Sequence, residues 1–374
     1  MGGLAAMAGY CGLNTELDLW GQTAATSDVV ERSRVPADQY DSFAKLAFNE
    51  NPFGPPPSVL EAMTQAFKYA NRYSYPDGGI IPAIAAHHNV TPDQILLGAG
   101  STEILEVAAT TFLPAHKKVL GVEPTFSTVY EFATGLDADA IRLPLGPDFR
   151  QDIPALIKAA CDNHSQIGLV YLCNPNNPTG VIVRKQEVKQ LLDGIPKGIP
   201  VLIDEAYHHF VEDPDYATSV PYVLEGRPVI VARTFSKIAA LAGLRLGYAV
   251  APSALTEQMR PHLGNFHVNV LAKWAGVAAL KDTASQATAR TTIVDLRKKT
   301  TAALTGLGYK VVPSETNFFM VDMRRPVAPV IREFRQRKIL VGRPFPPLLQ
   351  HLRVSVGTAD EMQRFLAAFK EIAS

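Results

Sequence analysis

Short apolar runs recur through the middle of the chain: Ile95-Leu96-Leu97, Val119-Leu120-Gly121-Val122, Gly168-Leu169-Val170-Tyr171-Leu172, Val201-Leu202-Ile203, Val229-Ile230-Val231 and Gly247-Tyr248-Ala249-Val250. Each is rich in residues that suit a strand covered on both faces. Between them the period changes. Ile104, Leu105, Ala108 and Phe112 make one apolar stripe and Val188, Leu191 and Leu192 another, at the spacing of an amphipathic helix. Strands alternating with helices predict a mainly parallel α/β sheet with helices on both sides. After about residue 265 the texture shifts: one long helical pattern runs over 270–304 and is stopped by Gly306 and Gly308. Strand patterns then follow at 310–312, 317–322 and 352–356, with helices near 330–337 and 360–372, which predicts a smaller α+β unit. Neither repeats nor low-complexity linkers interrupt this order.

Composition narrows the class. A chain of 374 residues, 47% hydrophobic and 19% charged, can bury a large core and is no disulfide scaffold. Lysine plus arginine and aspartate plus glutamate are equal at 36 each, so no net field favours nucleic acid or an anionic membrane, and any anion must be recognised locally. Cys11, Cys161 and Cys173 have neither CxxC nor zinc spacing, which fits a reducing, cytoplasmic setting and suggests no metal. The apolar stretch at 4–13 is broken by Gly9, Tyr10 and Gly12 and falls short of the about 20 residues a membrane span needs. No basic residue precedes it, so residues 1–40 are expected to form an N-terminal arm, with a truncated periplasmic export segment as the alternative.

Candidate chemistry collects in four segments, each following an apolar strand pattern. Gly98-Ala99-Gly100-Ser101-Thr102-Glu103 opens a helix and can turn backbone N–H groups toward a phosphate, although as a dinucleotide fingerprint it lacks its third glycine. Asn174-Pro175-Asn176-Asn177-Pro178-Thr179-Gly180 reads as a rigid turn at the end of a strand, where open α/β sheets bind ligands. In Asp204-Glu205-Ala206-Tyr207 the alternation of strand side chains turns Asp204 inward and Glu205 away. His208 and His209 are adjacent, lack a third ligand at metal spacing, and read as ordinary polar residues. Arg233-Thr234-Phe235-Ser236-Lys237, followed by Arg245, sets a lysine among hydroxyls after a buried strand, a candidate imine-forming amine.

In order and spacing these four segments resemble the class I/II aminotransferases of fold type I, which use pyridoxal 5'-phosphate (PLP). Within that group the chain is most similar to histidinol-phosphate aminotransferases. The resemblance extends from Leu46-Ala47-Phe48-Asn49-Glu50-Asn51-Pro52 to Leu352-Arg353-Val354-Ser355-Val356-Gly357-Thr358, nearly everything past the first 40 or so residues. It implies a large domain with a mainly parallel seven-stranded sheet at 71–280, a small domain at 281–374, a joining segment at 41–70 and the arm at 1–40. Lys237 would form the Schiff base with PLP and move the substrate proton. Asp204 would pair with the pyridine nitrogen, and Asn177 and Tyr207 with the phenolic oxygen. Gly100, Ser101, Thr102, Thr234, Ser236 and Arg245 would hold the phosphate. Phe126 would cover the ring, where the histidinol-phosphate enzymes commonly have tyrosine. Tyr75 resembles a tyrosine that reaches the neighbouring subunit's phosphate, which implies a homodimer with shared sites. Arg353 matches the arginine that binds the substrate anion, Arg343 would be a second anion contact, Asn317 would orient Arg353 or the substrate, and Asn51 would join the substrate contacts. The expected reaction moves an amino group between an amino acid or histidinol phosphate and a 2-oxo acid such as 2-oxoglutarate. The alternatives are a PLP-dependent lyase, cyclase or oxidase on the same scaffold, or an aromatic or broad-range aminotransferase. A PLP-binding regulator is disfavoured, because the short N-terminal segment has too little basic character for a DNA-binding module.

Overall fold

The computed structural model describes residue 35 and residues 37–373 other than 115, 137 and 266. Of the arm expected at 1–40, residues 1–34 and 36 lie outside the described residues, and with them the export-segment expectation and Cys11. The described residues form three sheets. β1 (Ala44–Leu46) pairs in parallel with β11 (Ile339–Val341). β2 (Ile95–Gly98), β3 (Lys118–Glu123), β4 (Ala140–Pro144), β5 (Ile167–Cys173), β6 (Val201–Asp204), β7 (Val229–Thr234) and β8 (Gly247–Val250) form a seven-stranded sheet in the order β2-β8-β7-β6-β5-β3-β4. It is parallel except for β8, which runs antiparallel to both its neighbours. β9 (Val311–Val312), β10 (Phe318–Asp322) and β12 (His351–Ser355) make a three-stranded antiparallel sheet in the order β12-β10-β9.

All six apolar runs are strands of the large sheet. Its seventh, β4, is an edge strand whose residues are all partly or fully exposed, so it has no continuous apolar run to announce it. Alternate residues of the central strands enter opposite cores. Val170, Leu172, Val201, Ile203, Val229 and Val231 pack with Ile80, Ile84, Leu156 and Leu191 on one face. Leu169, Tyr171, Leu202, Ile230 and Ala232 pack with Ile104, Leu105, Ala108 and Tyr130 on the other. Register brings Cys173 beside Asp204, and Asp204 beside Ala232. The carboxyl ends of β5, β6 and β7 therefore lie together, and the segments that follow them share one crevice.

A separate aromatic core, with Phe318, Phe319, Phe334, Phe365 and Phe369, fills the layer around the smaller sheets, and Ala44 and Leu46 belong to it. Tyr207, Phe210 and Ile238, from loops of the large sheet, pack into the same core and link the two layers. The joining segment continues into helix Pro57–Ala66, which packs against helix Val270–Lys281. The long helix expected over 270–304 is two helices, Val270–Lys281 and Thr283–Gly306. Asp282 separates them because its carboxylate caps the second, accepting the Ser285 N–H at 3.0 Å. A good capping residue here outweighs a nearly unbroken apolar period. Among the described residues no helix is long and apolar enough to cross a membrane.

Candidate active site

Gly100 lies at φ +83°, a conformation glycine enters at little cost, and a Cβ there would run into the Arg245 guanidinium. Gly247 is hemmed in similarly, with the Gly100–Ser101 backbone where its Cβ would be. These two glycines let the turn after β2, the first residue of β8 and Arg245 approach one another closely. Helix Ser101–Phe112 starts at this point and directs its first N–H groups and the positive end of its dipole outward. Thr234 Oγ1 donates to Ser236 Oγ at 2.8 Å and accepts the Ser236 N–H at 3.0 Å, which fixes both hydroxyls beside the same crevice. The result is a cradle of uncharged donors and one guanidinium, suited to a phosphate.

From the cradle a cavity of about 380 Å³ extends along Phe126, Asn177, Asp204, Tyr207 and Lys237. Asp204, at the end of β6, is 3% exposed and accepts the Ala206 N–H at 3.0 Å. Burial raises its pKa to about 6, against the opposing pull of that hydrogen bond and of the Lys237 charge. A carboxylate so placed favours a ligand that brings a cation, such as a protonated ring nitrogen. The Lys237 ammonium donates to Phe48 O at 3.2 Å and lies 5.5 Å from the centre of the Tyr207 ring. Burial first, then the Arg353 charge, lowers its pKa to about 8, which enriches the nucleophilic amine. The Tyr207 hydroxyl accepts from Asn49 Nδ2 at 3.1 Å, and burial pushes its pKa well up. Phosphate cradle, buried carboxylate, phenol, amide and depressed lysine amine face one cavity, and together they fit the functional groups of PLP.

A second cavity, about 280 Å³, shares Phe48, Phe126, Asn177, Tyr207 and Lys237 with the first and is also lined by Arg343, Phe345 and Arg353. Arg353, on β12, is 6% exposed. Its Nη1 donates to Asn177 Oδ1 at 2.8 Å and its Nη2 to Ala47 O at 2.5 Å. The guanidinium carbons of Arg343 and Arg353 lie 4.3 and 4.5 Å from the centre of the Phe345 ring. Phe345 thus holds two guanidinium groups near one ring, an arrangement the sequence reading missed.

Two expected site residues stand elsewhere. Asn317 does not hold Arg353: its Nδ2 donates to Asn49 O at 3.0 Å, so it fixes the segment that carries Asn49. Asn49 itself, at φ +54°, exchanges hydrogen bonds with Ser355 and donates one to the Tyr207 hydroxyl, and asparagine's tolerance of that backbone conformation was the available signal. Asn51 leaves both lysine cavities. Its Nδ2 donates to Ile238 O at 2.9 Å and so braces the residue after Lys237. Tyr75, expected at the neighbouring subunit's phosphate and not at its own, is 77% exposed and lines neither cavity of this chain. Glu205 points away from Asp204 as expected, but into a buried cluster: Arg233 Nη2 donates to it at 2.7 Å and the Ser219 N–H at 2.6 Å. His208 and His209 are more than ordinary polar residues. His208 contacts Arg233 at 2.5 Å, and burial with the Arg233 charge holds both imidazoles well below their usual pKa. Among the described residues no His, Cys, Asp and Glu group is arranged to hold a metal ion.

The family model described as aminotransferase class I and II matches residues 42–369. A histidinol-phosphate aminotransferase of Moorella thermoacetica is 38% identical over 335 residues, covering 88% of this chain and 85% of its own. Histidinol-phosphate aminotransferase 2 of Methylococcus capsulatus is 35% identical over 340 residues, covering 88% and 90%. The crystal structure of a histidinol-phosphate aminotransferase from Sinorhizobium meliloti in complex with pyridoxal-5'-phosphate superposes with a TM-score of 0.83 at 26% identity, covering 91% of this chain and 94% of that one.

Proposed function

The chain belongs to the class I and II aminotransferases, and from that membership we propose that its amino donor is histidinol phosphate and its acceptor a 2-oxo acid such as 2-oxoglutarate. It is a PLP-dependent transaminase with the fold-type-I architecture, acting on amine and oxo-acid substrates. PLP, when bound, supplies the electron sink that acidifies the C–H bond beside the substrate amine. The remaining work falls to the chain. Arg245, the start of helix Ser101–Phe112 and the Thr234 and Ser236 hydroxyls hold the cofactor phosphate. Asp204 keeps the ring nitrogen protonated, while Asn177 and Tyr207 donate to the phenolic oxygen. Phe126 covers the ring face. The Lys237 amine holds the cofactor covalently and, once substrate displaces it, carries the α-proton.

The observation that carries the donor assignment is the pair Arg343 and Arg353 in a cavity continuous with Lys237. A phosphate dianion can engage both guanidinium groups, whereas a carboxylate satisfies one fork. With division near residue 281, both arginines belong to the small domain and Lys237 to the large one, so a substrate that bridges them would draw the domains together. A homodimer with shared sites suits the exposure of Tyr73 and Tyr75, at 84% and 77%. Free Cys161 and Cys173 suit a cytoplasmic setting. The test is a panel of donors read by the first half-reaction: histidinol phosphate should give the largest kcat/KM, and a preference for phenylalanine, tyrosine or glutamate would replace this donor assignment with an aromatic or broad-range one.

A further inference from the structure

The second cavity contains a charge that neither the cofactor nor a phosphate needs. Glu131, in helix Thr128–Gly135, lines it together with Phe126, Phe345 and the two arginines. Ser127 Oγ donates to Glu131 Oε1 at 2.6 Å, and Oε2 has neither a hydrogen bond nor an ion pair among the described residues. A carboxylate serving as a helix cap would accept backbone N–H groups of the first turn, and this one accepts none. It stands against the walls of a cavity whose other polar lining includes Arg343 and Arg353, yet it pairs with neither.

We propose that Glu131 is a specificity-determining residue that accepts the ring N–H of an imidazole on the donor. This inference rests on the donor assignment above and adds the means by which the side chain is told from an isosteric apolar ring. Phe126 and Phe345 line the same cavity, and an aromatic wall alone does not choose between phenyl and imidazole. A carboxylate does choose. A phenyl ring leaves Oε2 desolvated and unmet, and a site built around such an acceptor rejects the analogue that lacks the donor.

The probes are histidinol phosphate and phenylalaninol phosphate, which share amine and phosphate and differ in the ring. Binding to the PLP-loaded protein is read by calorimetry and turnover by the half-reaction. The wild type should prefer the imidazole compound by about 10- to 100-fold in both Kd and kcat/KM, on the scale of one charge-assisted hydrogen bond. Glu131→Ala should reduce the preference to within about threefold, and Glu131→Gln, which keeps a neutral acceptor, should fall between them. Unchanged cofactor absorbance in both variants reports an intact site. An equal preference in wild type and Glu131→Ala overturns the role of Glu131 and leaves the donor assignment standing. Failure of the wild type to bind or turn over either phosphate overturns the donor assignment and this inference with it.

Discussion

The rate at which the apoprotein captures PLP covalently should follow the titration of Lys237. Only the neutral amine attacks an aldehyde. At pH 7 an amine with the ordinary lysine value of 10.5 is neutral in about 0.03% of molecules, while one lowered to about 8 is neutral in about 9%, a gain of roughly 300-fold. Burial is the first cause of the lowering and the Arg353 charge the second. The assay mixes apoprotein with PLP at fixed concentration between pH 6 and 10 and follows the initial rate of the imine absorbance. The rate should rise tenfold per unit up to about pH 8 and then level off. Arg353→Gln removes one of the causes, so its midpoint should move upward but stop short of 10.5, because burial and the Arg245 charge remain. A wild-type profile still climbing tenfold per unit above pH 9 would refute the argument that the cavity depresses this amine.

Arg353→Gln should also weaken donor binding by about 10- to 150-fold, the worth of a charged hydrogen bond of roughly 1.5–3 kcal/mol, while cofactor absorbance persists; calorimetry with the donor checks it. Asp204 has its pKa raised to about 6 from 3.8, so its ionisation costs the apoprotein stability, a cost absent below pH 4 and complete above pH 6. Between pH 4 and 7 apo Asp204→Asn should therefore gain on apo wild type by up to roughly 3 kcal/mol in urea denaturation, and PLP should stabilise the wild type more than the variant. Arg233→Met strands the buried Glu205 carboxylate and should cost about 3–5 kcal/mol in the same assay. Gly100→Ala, at positive φ and facing the Arg245 guanidinium, should weaken PLP affinity while Lys237 still titrates normally, as equilibrium dialysis and the capture profile would show.

The large sheet was legible because a strand buried on both faces must be apolar throughout, and six such runs say so. β4 was not, since an edge strand with partly exposed residues has no such obligation. The pair β1 and β11 was equally silent, three residues each with nearly 300 positions between them, and pairing at that range leaves no local periodicity. The cofactor segments could be found because phosphate, imine and pyridine chemistry demand particular residue types at strand ends. Substrate residues were harder. Asn317 and Asn51 stand in the right segments, but asparagine serves a backbone carbonyl as readily as a ligand, and in both cases the carbonyl of a neighbouring loop takes the amide. Phe345 and Glu131 lie far from each other in sequence and acquire meaning only when the fold sets both against the two arginines.

The central claim is that Lys237 is the amine that holds PLP and moves the substrate proton. Borohydride reduction of the PLP-loaded protein, followed by peptide mapping, tests it most directly. The label should sit on Lys237 alone, and Lys237→Ala should take up no label and turn over no donor. A label on another lysine, or a Lys237→Ala protein that still transaminates at the wild-type rate, would contradict the account.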